Sequence, residues 1–366
     1  MIELNLISYQ SLIMDKIRVG ITIGDINGIG IEVILKTLSN PMLTKQITPI
    51  IYGSTKVVSY HKNTLNDTNI SYQSIKDVSR PYSDKINVVN CWDENVNINL
   101  GQLSKDGGTY ALKSLERAVE DIKSGNIDVI VTAPIHKKAM DLAGFEYPGH
   151  TEYFEAKFDG SNQLMLMTSD DIKLGLVTIH LPIQEVAKNI SKKLIIQKLK
   201  IFNESLIKDF GYERPTIAVL GLNPHAGDEG RIGNEEIEII RPAIIEAKKQ
   251  NILAMGPFAA DGFFGSGNFC KYDGILAMYH DQGLIPFKTL TFNRSTNFTA
   301  GLPVIRTSPD HGTGFDIAGK DMADPSSFRY AIFKALDLFR QRKQHQEDHE
   351  NPLKKTQMSE DKENAK

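Results

Sequence analysis

Strand-like apolar runs alternate with helix-like segments along most of the chain, and this alternation restricts the fold more than any other feature. Residues 17–23 read as a first strand, followed by a glycine turn and a helix over 30–38. Residues 48–52 read as a second strand. Residues 108–123 carry Leu112, Leu115, Ala118, Val119 and Ile122 on one helical face and lead into a strand over 129–132. Further strands are predicted at 174–179, 217–222 and 274–279. A long helix over 191–210 has Ser191 as its cap and Gly211 as its stop. Another over 235–249 is limited or bent by Pro242, and a last one over 324–340 places Pro325 in its first turn. Such a series predicts an α/β protein, a mostly parallel sheet with helices packed on it.

A chain of 366 residues has room for two domains or one large α/β unit. Its formal net charge of -3 gives no broad basic field, so no nucleic-acid partner is expected. No apolar stretch reaches the length of a membrane span, so no membrane partner is expected either. Cys91 and Cys270 are the only cysteines. They make no disulfide framework, and they fit a reducing, cytoplasmic setting. Residues 1–15 lack the basic start and cleavage site of a secretory signal and read as a disordered extension. Folding is expected to begin near Lys16, with Met14 as an alternative start. Residues 341–366 mix both charge signs with few apolar side chains and read as a disordered tail. His345 and His349 stand there at helical spacing, as a solvated pair or a metal pair.

Three of the apolar runs end in a histidine: His180 in LVTIHLPI, His225 in LGLNPHAGDEG and His280 in LAMYHDQGLIPFK. Ligands of open α/β sheets bind at the carboxyl ends of the strands, where three imidazoles meeting in one crevice can hold a divalent metal. The alternative is three strand-end histidines bonded to neighbouring carbonyls. GITIGDINGIGIE (20–32) is a glycine turn entering a helix. It serves either as an anion seat or as a tight turn alone, and it is not a GxGxxG dinucleotide site. PGHTEYF (148–154) puts His150 and Thr151 at a helix start, where Thr151 either caps the helix or meets a polar ligand. Lys288, Asn297 and Arg306 are donors suited to phosphate and carboxylate, set in apolar, turn-rich surroundings. Asp310, His311 and Asp316 lack a GxSxG elbow, so a hydrolase dyad is not favoured. His311 with Gly312 and Gly314 looks like a loop laid along a flat ligand.

Together with VTIHLPI, GLNPHAGDEG, MYHDQGLIPFK and LPVIRTSPDHGTGFDIAGK, these motifs make residues 17–340 resemble the 4-hydroxythreonine-4-phosphate dehydrogenases, oxidative decarboxylating enzymes of pyridoxal phosphate biosynthesis. The resemblance extends to the isocitrate and isopropylmalate dehydrogenases. It implies their two-domain α/β/α fold, with the active site in the interdomain cleft. One domain would comprise 16–140 plus 295–340, and the other 141–294 with the metal ligands. It further implies His180, His225 and His280 as ligands of one divalent metal per site, Zn, Co or Mg. His150, Thr151, Lys288, Asn297 and Arg306 would bind substrate. Asp261, in GPFAADGFF, would be a further active-site carboxylate beside Lys288. His311, Gly312, Thr313, Asp316 and Asp324 would hold NAD or NADP. Asp324 stands where the related dehydrogenases often carry Asn, and Ile31 replaces a usual Pro. A homodimer is implied, its site shared across the interface.

The implied reaction is oxidation of 4-phosphooxy-L-threonine with decarboxylation to 3-amino-2-oxopropyl phosphate. The competing expectations are a dehydrogenase of the same fold acting on threonate or erythronate 4-phosphate, a non-catalytic phosphometabolite-binding protein, and a metal-dependent phosphatase or aldolase.

Overall fold

The computed structural model describes residues 16–66, 69–158, 163–291 and 294–350. The expected N-terminal extension and the last part of the expected tail lie outside these residues. Among the described residues twelve strands form one sheet: β1 (Ile17–Thr22), β2 (Ile47–Gly53), β3 (Tyr72–Ile75), β4 (Ile86–Asn90), β5 (Val129–Thr132), β6 (Leu164–Thr168), β7 (Lys173–Leu176), β8 (Thr216–Leu220), β9 (Leu253–Phe258), β10 (Gly274–Ala277), β11 (Thr296–Ala300) and β12 (Ile305–Pro309). Their order is β3-β4-β2-β1-β5-β12-β11-β6-β7-β10-β8-β9. The central strands are apolar without interruption because both faces of the sheet are covered.

The sheet is not uniformly directed, which corrects the expectation of a single crevice at the carboxyl ends of parallel strands. β1 to β5 and β12 are mutually parallel. β11 runs against both β12 and β6, and β7 runs against β6. β10, β8 and β9 then follow the direction of β7. The carboxyl ends of β7, β8 and β10 therefore lie toward the opposite edge from those of β1, β5 and β12.

Side-chain alternation assigns the cover. Val129 and Val131 of β5, Ile305 of β12, Phe298 of β11 and Leu166 of β6 join one core cluster that spans the whole sheet. Helices Gly30–Leu38, Lys192–Lys208, Arg241–Lys249 and Ser326–Glu350 cover that face. On the other face the cover is split. Ile130, Met140, Tyr153 and Phe154 form one cluster, while Met165, Met167, Leu284 and Phe287 form another. Between the two clusters the central strands present polar side chains: Thr132, Arg306 and Asn297.

Local signals explain most element ends. Ser191 Oγ accepts from Leu194 N–H at 3.2 Å, capping the Lys192–Lys208 helix, a contact worth about 1 kcal/mol. Pro242 has no N–H to donate, and its ring crowds the carbonyl of Glu238. The preceding turn, Glu236–Ile240, widens accordingly into a π-helix before the Arg241–Lys249 helix begins. The last helix runs to Glu350 and so corrects the expected start of the tail at 341. Arg342 holds it: its Nε donates to Asp209 Oδ1 at 2.8 Å, and its Nη1 donates to the carbonyls of Leu302 and Pro303. Composition counted Arg342 as solvated, whereas it is a buried anchor.

Candidate functional site

The gap between the two halves of the split cover is a cleft of about 270 Å³. Its floor is the face of β5, β12, β11 and β6, and its wall is the helix His150–Lys157. The residues His150, Thr151, Asn297, Arg306, His180, His311 and Gly312, expected from the sequence in three separate roles, all line it. A second cleft of about 230 Å³ is lined by Lys288, Asp324, Asp310 and Ile29. His311 borders both clefts and links them.

Arg306 is 3% exposed, and its guanidinium is held rather than neutralised. Nε and Nη2 donate to Thr132 Oγ1 at 3.1 and 2.7 Å, and Nη2 donates to His150 Nδ1 at 3.2 Å. The face of Phe154 lies 5.9 Å away. No carboxylate among the described residues forms an ion pair with it. Burial pushes its pKa down to about 10, and the charge of Glu152, in the same cleft, offsets part of that. His150 is held well below its ordinary value, first by burial and then by the neighbouring Arg306 charge. Its ring is therefore neutral. Because Nδ1 accepts from Arg306, Nε2 carries the proton, and this buried donor has no partner. Asn297 Oδ1 is likewise buried without a partner. A deep cation beside unpartnered polar atoms is the arrangement expected of an anion site, since each is costly until a ligand answers it.

Thr151 does not cap its helix: the cap residue is Gly149, with no side-chain cap bond. The Thr151 hydroxyl thus stays available at a helix N-terminus whose N–H groups favour an anion. Lys288 Nζ pairs with Asp310 Oδ1 at 2.9 Å in the second cleft. Asp324 Oδ1 accepts from Ser326 N–H at 2.9 Å just ahead of the last helix, and this contact with Ser326 holds its carboxyl below the usual range.

The loop containing Gly312, Thr313 and Asp316 packs on the first glycine turn. Ile29 N–H donates to Thr313 O at 2.9 Å, and a Cβ at Gly28 would stand 2.7 Å from that oxygen. Gly24, at φ 67°, lies against the backbone of Pro134. The glycines of GITIGDINGIGIE therefore serve close backbone approach, and the turn supports the loop rather than seating an anion. Asp316 is exposed and faces neither cleft.

Two of the three histidines meet. The rings of His180 and His280 are 5.8 Å apart between centroids. His280 Nδ1 bonds Asp281 Oδ1 at 2.7 Å, which leaves Nε2 as the free nitrogen. Such a carboxylate behind an imidazole is the usual support of a metal ligand. Burial lowers the pKa of His180, with Lys137 adding to the effect, which favours the neutral ring a metal needs. His225 does not join them: among the described residues no group of three or more His, Cys, Asp or Glu side chains is arranged to hold a metal. It is exposed on the segment Pro224–Gly230, where His225, Ala226, Asp228 and Glu229 have φ between 42° and 53°. Left-handed backbone costs roughly 1–2 kcal/mol for each non-glycine residue. It is held by the buried carboxylate of Glu236, which accepts from Leu222 N–H and Asn223 N–H at 2.7 Å each. Asp261 is also exposed and lines neither cleft.

Sequence reasoning missed Thr132, Lys137 and Glu152, all of which line the first cleft. Glu152 lay inside the PGHTEYF motif. Lys137 follows β5 as the histidines follow their strands, so the same strand-end rule applied to TAPIHKK would have found it.

Comparison with known proteins agrees with this geometry. The sequence model of the pyridoxal phosphate biosynthetic protein PdxA matches residues 45–335. The 4-hydroxythreonine-4-phosphate dehydrogenase of Bacteroides thetaiotaomicron is 51% identical over 342 residues, covering 93% of this chain and 94% of that protein. That of Aquifex aeolicus is 41% identical over 322 residues, covering 88% and 98%. The crystal structure of 4-hydroxythreonine-4-phosphate dehydrogenase from Klebsiella pneumoniae matches with a TM-score of 0.78 at 32% identity, covering 88% of this chain and 100% of that one. The chain belongs to the family of the pyridoxal phosphate biosynthetic protein PdxA.

Proposed function

We propose that this protein oxidises 4-phosphooxy-L-threonine at C3 with NAD or NADP and releases CO₂, giving 3-amino-2-oxopropyl phosphate for pyridoxal 5'-phosphate synthesis. The observation that carries the reading is Arg306, a buried cation without an ion-pair partner among the described residues, beside the unpartnered N–H of His150. Arg306, His150, Thr151 and Asn297 bind and orient the anionic ends of the substrate. The chain divides into a domain of 16–140 plus 295–340 and a domain of 141–294, and the split cover over the cleft supports that division.

The donor set fits a divalent metal of the Zn or Co type, with His180 and His280 as imidazole ligands, and Mg remains a third choice. Such an ion, when bound, acts as a Lewis acid on the substrate alcohol. The His225 imidazole and the Asp261 carboxylate reach the site from a second copy in a homodimer, a reading supported by their exposure here. Lys288, oriented by Asp310, takes up and returns protons as general acid/base, and a bound nicotinamide would supply the hydride acceptor. His311 and Asp324 hold the dinucleotide along the second cleft, whose walls include Ile29 and Ile317, while Gly312, Thr313 and Asp316 belong to the adjoining loop. We place the enzyme in the cytoplasm, in keeping with two unpaired cysteines.

The test is a steady-state assay with synthetic 4-phosphooxythreonine, following NADH and CO₂ with and without chelator. Metal-dependent formation of both products supports the reading. Unimpaired turnover after metal removal, or NADH without CO₂, refutes it.

A further inference from the structure

The second cleft is bordered by one stretch of chain, from His311 through Ile317 to Asp324, and that stretch is tied at both ends to the first helix. Near its start, Ile29 N–H holds Thr313 O at 2.9 Å. Near its end the grip belongs to Glu32 and Lys36, an i,i+4 pair on one face of the Gly30–Leu38 helix. Glu32 is buried, and its Oε1 accepts from Ala323 N–H at 2.8 Å and from Lys36 Nζ at 2.9 Å. Lys36 Nζ also donates to the carbonyls of Asp321 and Ala323 at 3.0 Å each, and Asp321 Oδ1 lies 2.9 Å from it. The other carboxylate oxygen of Asp321 accepts from Asn66 N–H at 3.1 Å and from Asn66 Nδ2 at 2.9 Å. These bonds hold Asp321 at φ 58°, in the left-handed region that non-glycine residues seldom adopt. Asp324, which follows Ala323 directly, lines the cleft. A strained residue fixed by several bonds beside a binding cleft is the arrangement expected where a loop is shaped before its ligand arrives.

We propose that Glu32 and Lys36 are positioning residues that hold residues 321–324 in the conformation able to bind the dinucleotide. The inference rests on the reading of the second cleft as the dinucleotide site. The plainer role for the pair is to fasten the loop to the helix for stability alone. That role lowers the thermal transition and leaves the folded protein's affinity for each ligand as it was. A positioning role weakens the dinucleotide alone, because the loop is then competent in only part of the folded molecules and affinity falls by that fraction.

The experiment titrates the full chain with NADH and with NADPH by fluorescence, without substrate, and follows the tighter of the two in the variants. The main variant is Glu32→Gln with Lys36→Met, which removes both charges together and strands neither. The rise of the thermal transition with inorganic phosphate serves as the reference for the first cleft. The dissociation constant for the dinucleotide is expected to rise about 10-fold, as for a loop competent about a tenth of the time, with the phosphate effect unchanged. Lys36→Arg keeps the cation and is expected to fall between wild type and the double variant. If the double variant does not fold, Asp321→Gly carries the same comparison, since glycine accepts the left-handed backbone while both side-chain holds are lost. A dissociation constant that moves less than about twofold in the folded variant overturns the positioning role and leaves the dehydrogenase reading intact. Equal weakening of phosphate and dinucleotide overturns it too, because the pair then serves the fold at large. Wild type that binds phosphate but neither dinucleotide removes the reading of the second cleft, and the role of the pair with it.

Discussion

Arg306→Met separates a cation kept for binding from one kept for folding. Burial pushes the guanidinium down to about 10. A displacement of that size places on the order of 3 kcal/mol against the charged form in the folded state. The sign follows from which form is penalised. The folded protein holds this proton less tightly than the unfolded chain, so the cost is present in full below pH 10 and is relieved only above it. Met removes that cost and fills much of the volume of the arginine stem. It also leaves Thr132 Oγ1 and His150 Nδ1 without their donor, at about 1–3 kcal/mol each. The two effects nearly cancel, and the melting temperature is expected to stay within about 3 °C of wild type. Catalysis has no such compensation. Two charge-assisted hydrogen bonds to an oxyanion are worth about 3–6 kcal/mol together, so kcat/KM falls about 10²- to 10⁴-fold. Thermal unfolding with and without inorganic phosphate supplies an independent readout, because phosphate should raise the transition of wild type and not of Arg306→Met. A variant that melts many degrees lower yet keeps kcat/KM within fivefold would make Arg306 a structural strut and refute the reasoning.

His61 gives a pH dependence. Burial pushes it down to about 4, and its Nε2 bonds Ile26 O at 2.9 Å, so the folded state keeps the ring neutral while the unfolded chain protonates from pH 6.5 downward. Stability is therefore full above pH 6.5 and falls by on the order of 3 kcal/mol toward pH 4; Glu or Asp titration aside, His61→Gln should flatten that slope in urea midpoints taken at pH 7 and 4.5. Asp281→Asn removes the carboxylate behind His280 and should weaken divalent-metal affinity about 10- to 100-fold, read as the metal concentration needed to restore half of the activity of stripped enzyme; an unchanged requirement would release His280 from the metal site. Arg342→Met strands the buried carboxylate of Asp209 and should cost about 3–5 kcal/mol in chemical denaturation, with kcat/KM per folded molecule nearly unchanged.

Much of this molecule is legible in its sequence because the same force acts at each level. Strands buried on both faces must be continuously apolar, so β1, β5 and β8 announce themselves. Ser191 and Pro242 act within a few residues of where they stand, and their effects were readable for that reason. What escaped depends on distant parts. The reversal of direction at β11 and β7 follows from pairing between strands far apart in sequence, and no local pattern encodes it. The left-handed turn at His225 contradicts the preference of most of its residues, and Glu236, distant in sequence from the strand before it, anchors its entry by accepting from Leu222 and Asn223 N–H. The first glycine turn was read as either an anion seat or a tight turn, and Thr313 O lying against Gly28 supports the second. Histidines at strand ends were a good guide for His180 and His280. His225 also follows its strand, and in this chain it is exposed and joins no group of three possible metal ligands among the described residues.

Two buried arginines show why chemistry, rather than burial, separates framework from site. In sequence the two look different: Arg306 stands in apolar surroundings, and Arg342 in a charged stretch with few apolar side chains. Arg342 has a paired carboxylate in Asp209 and two carbonyls, and Asp209 is further satisfied by Ser205 Oγ at 2.7 Å. Every strong demand of that cluster is met inside the chain, so its energy goes into holding the last helix on the sheet. Arg306 has a hydroxyl and a neutral imidazole, neither of which cancels a charge, and the atoms around it repeat the deficit. His150 Nε2, Asn297 Oδ1 and His311 Nε2, all of residues lining the same cleft, are buried without partners. Such deficits are rare in folded proteins and are tolerated where a ligand makes them good. Three such atoms beside an unneutralised arginine, where the cover of the sheet divides, mean that this stretch of the fold gives up stability that an anionic ligand would return.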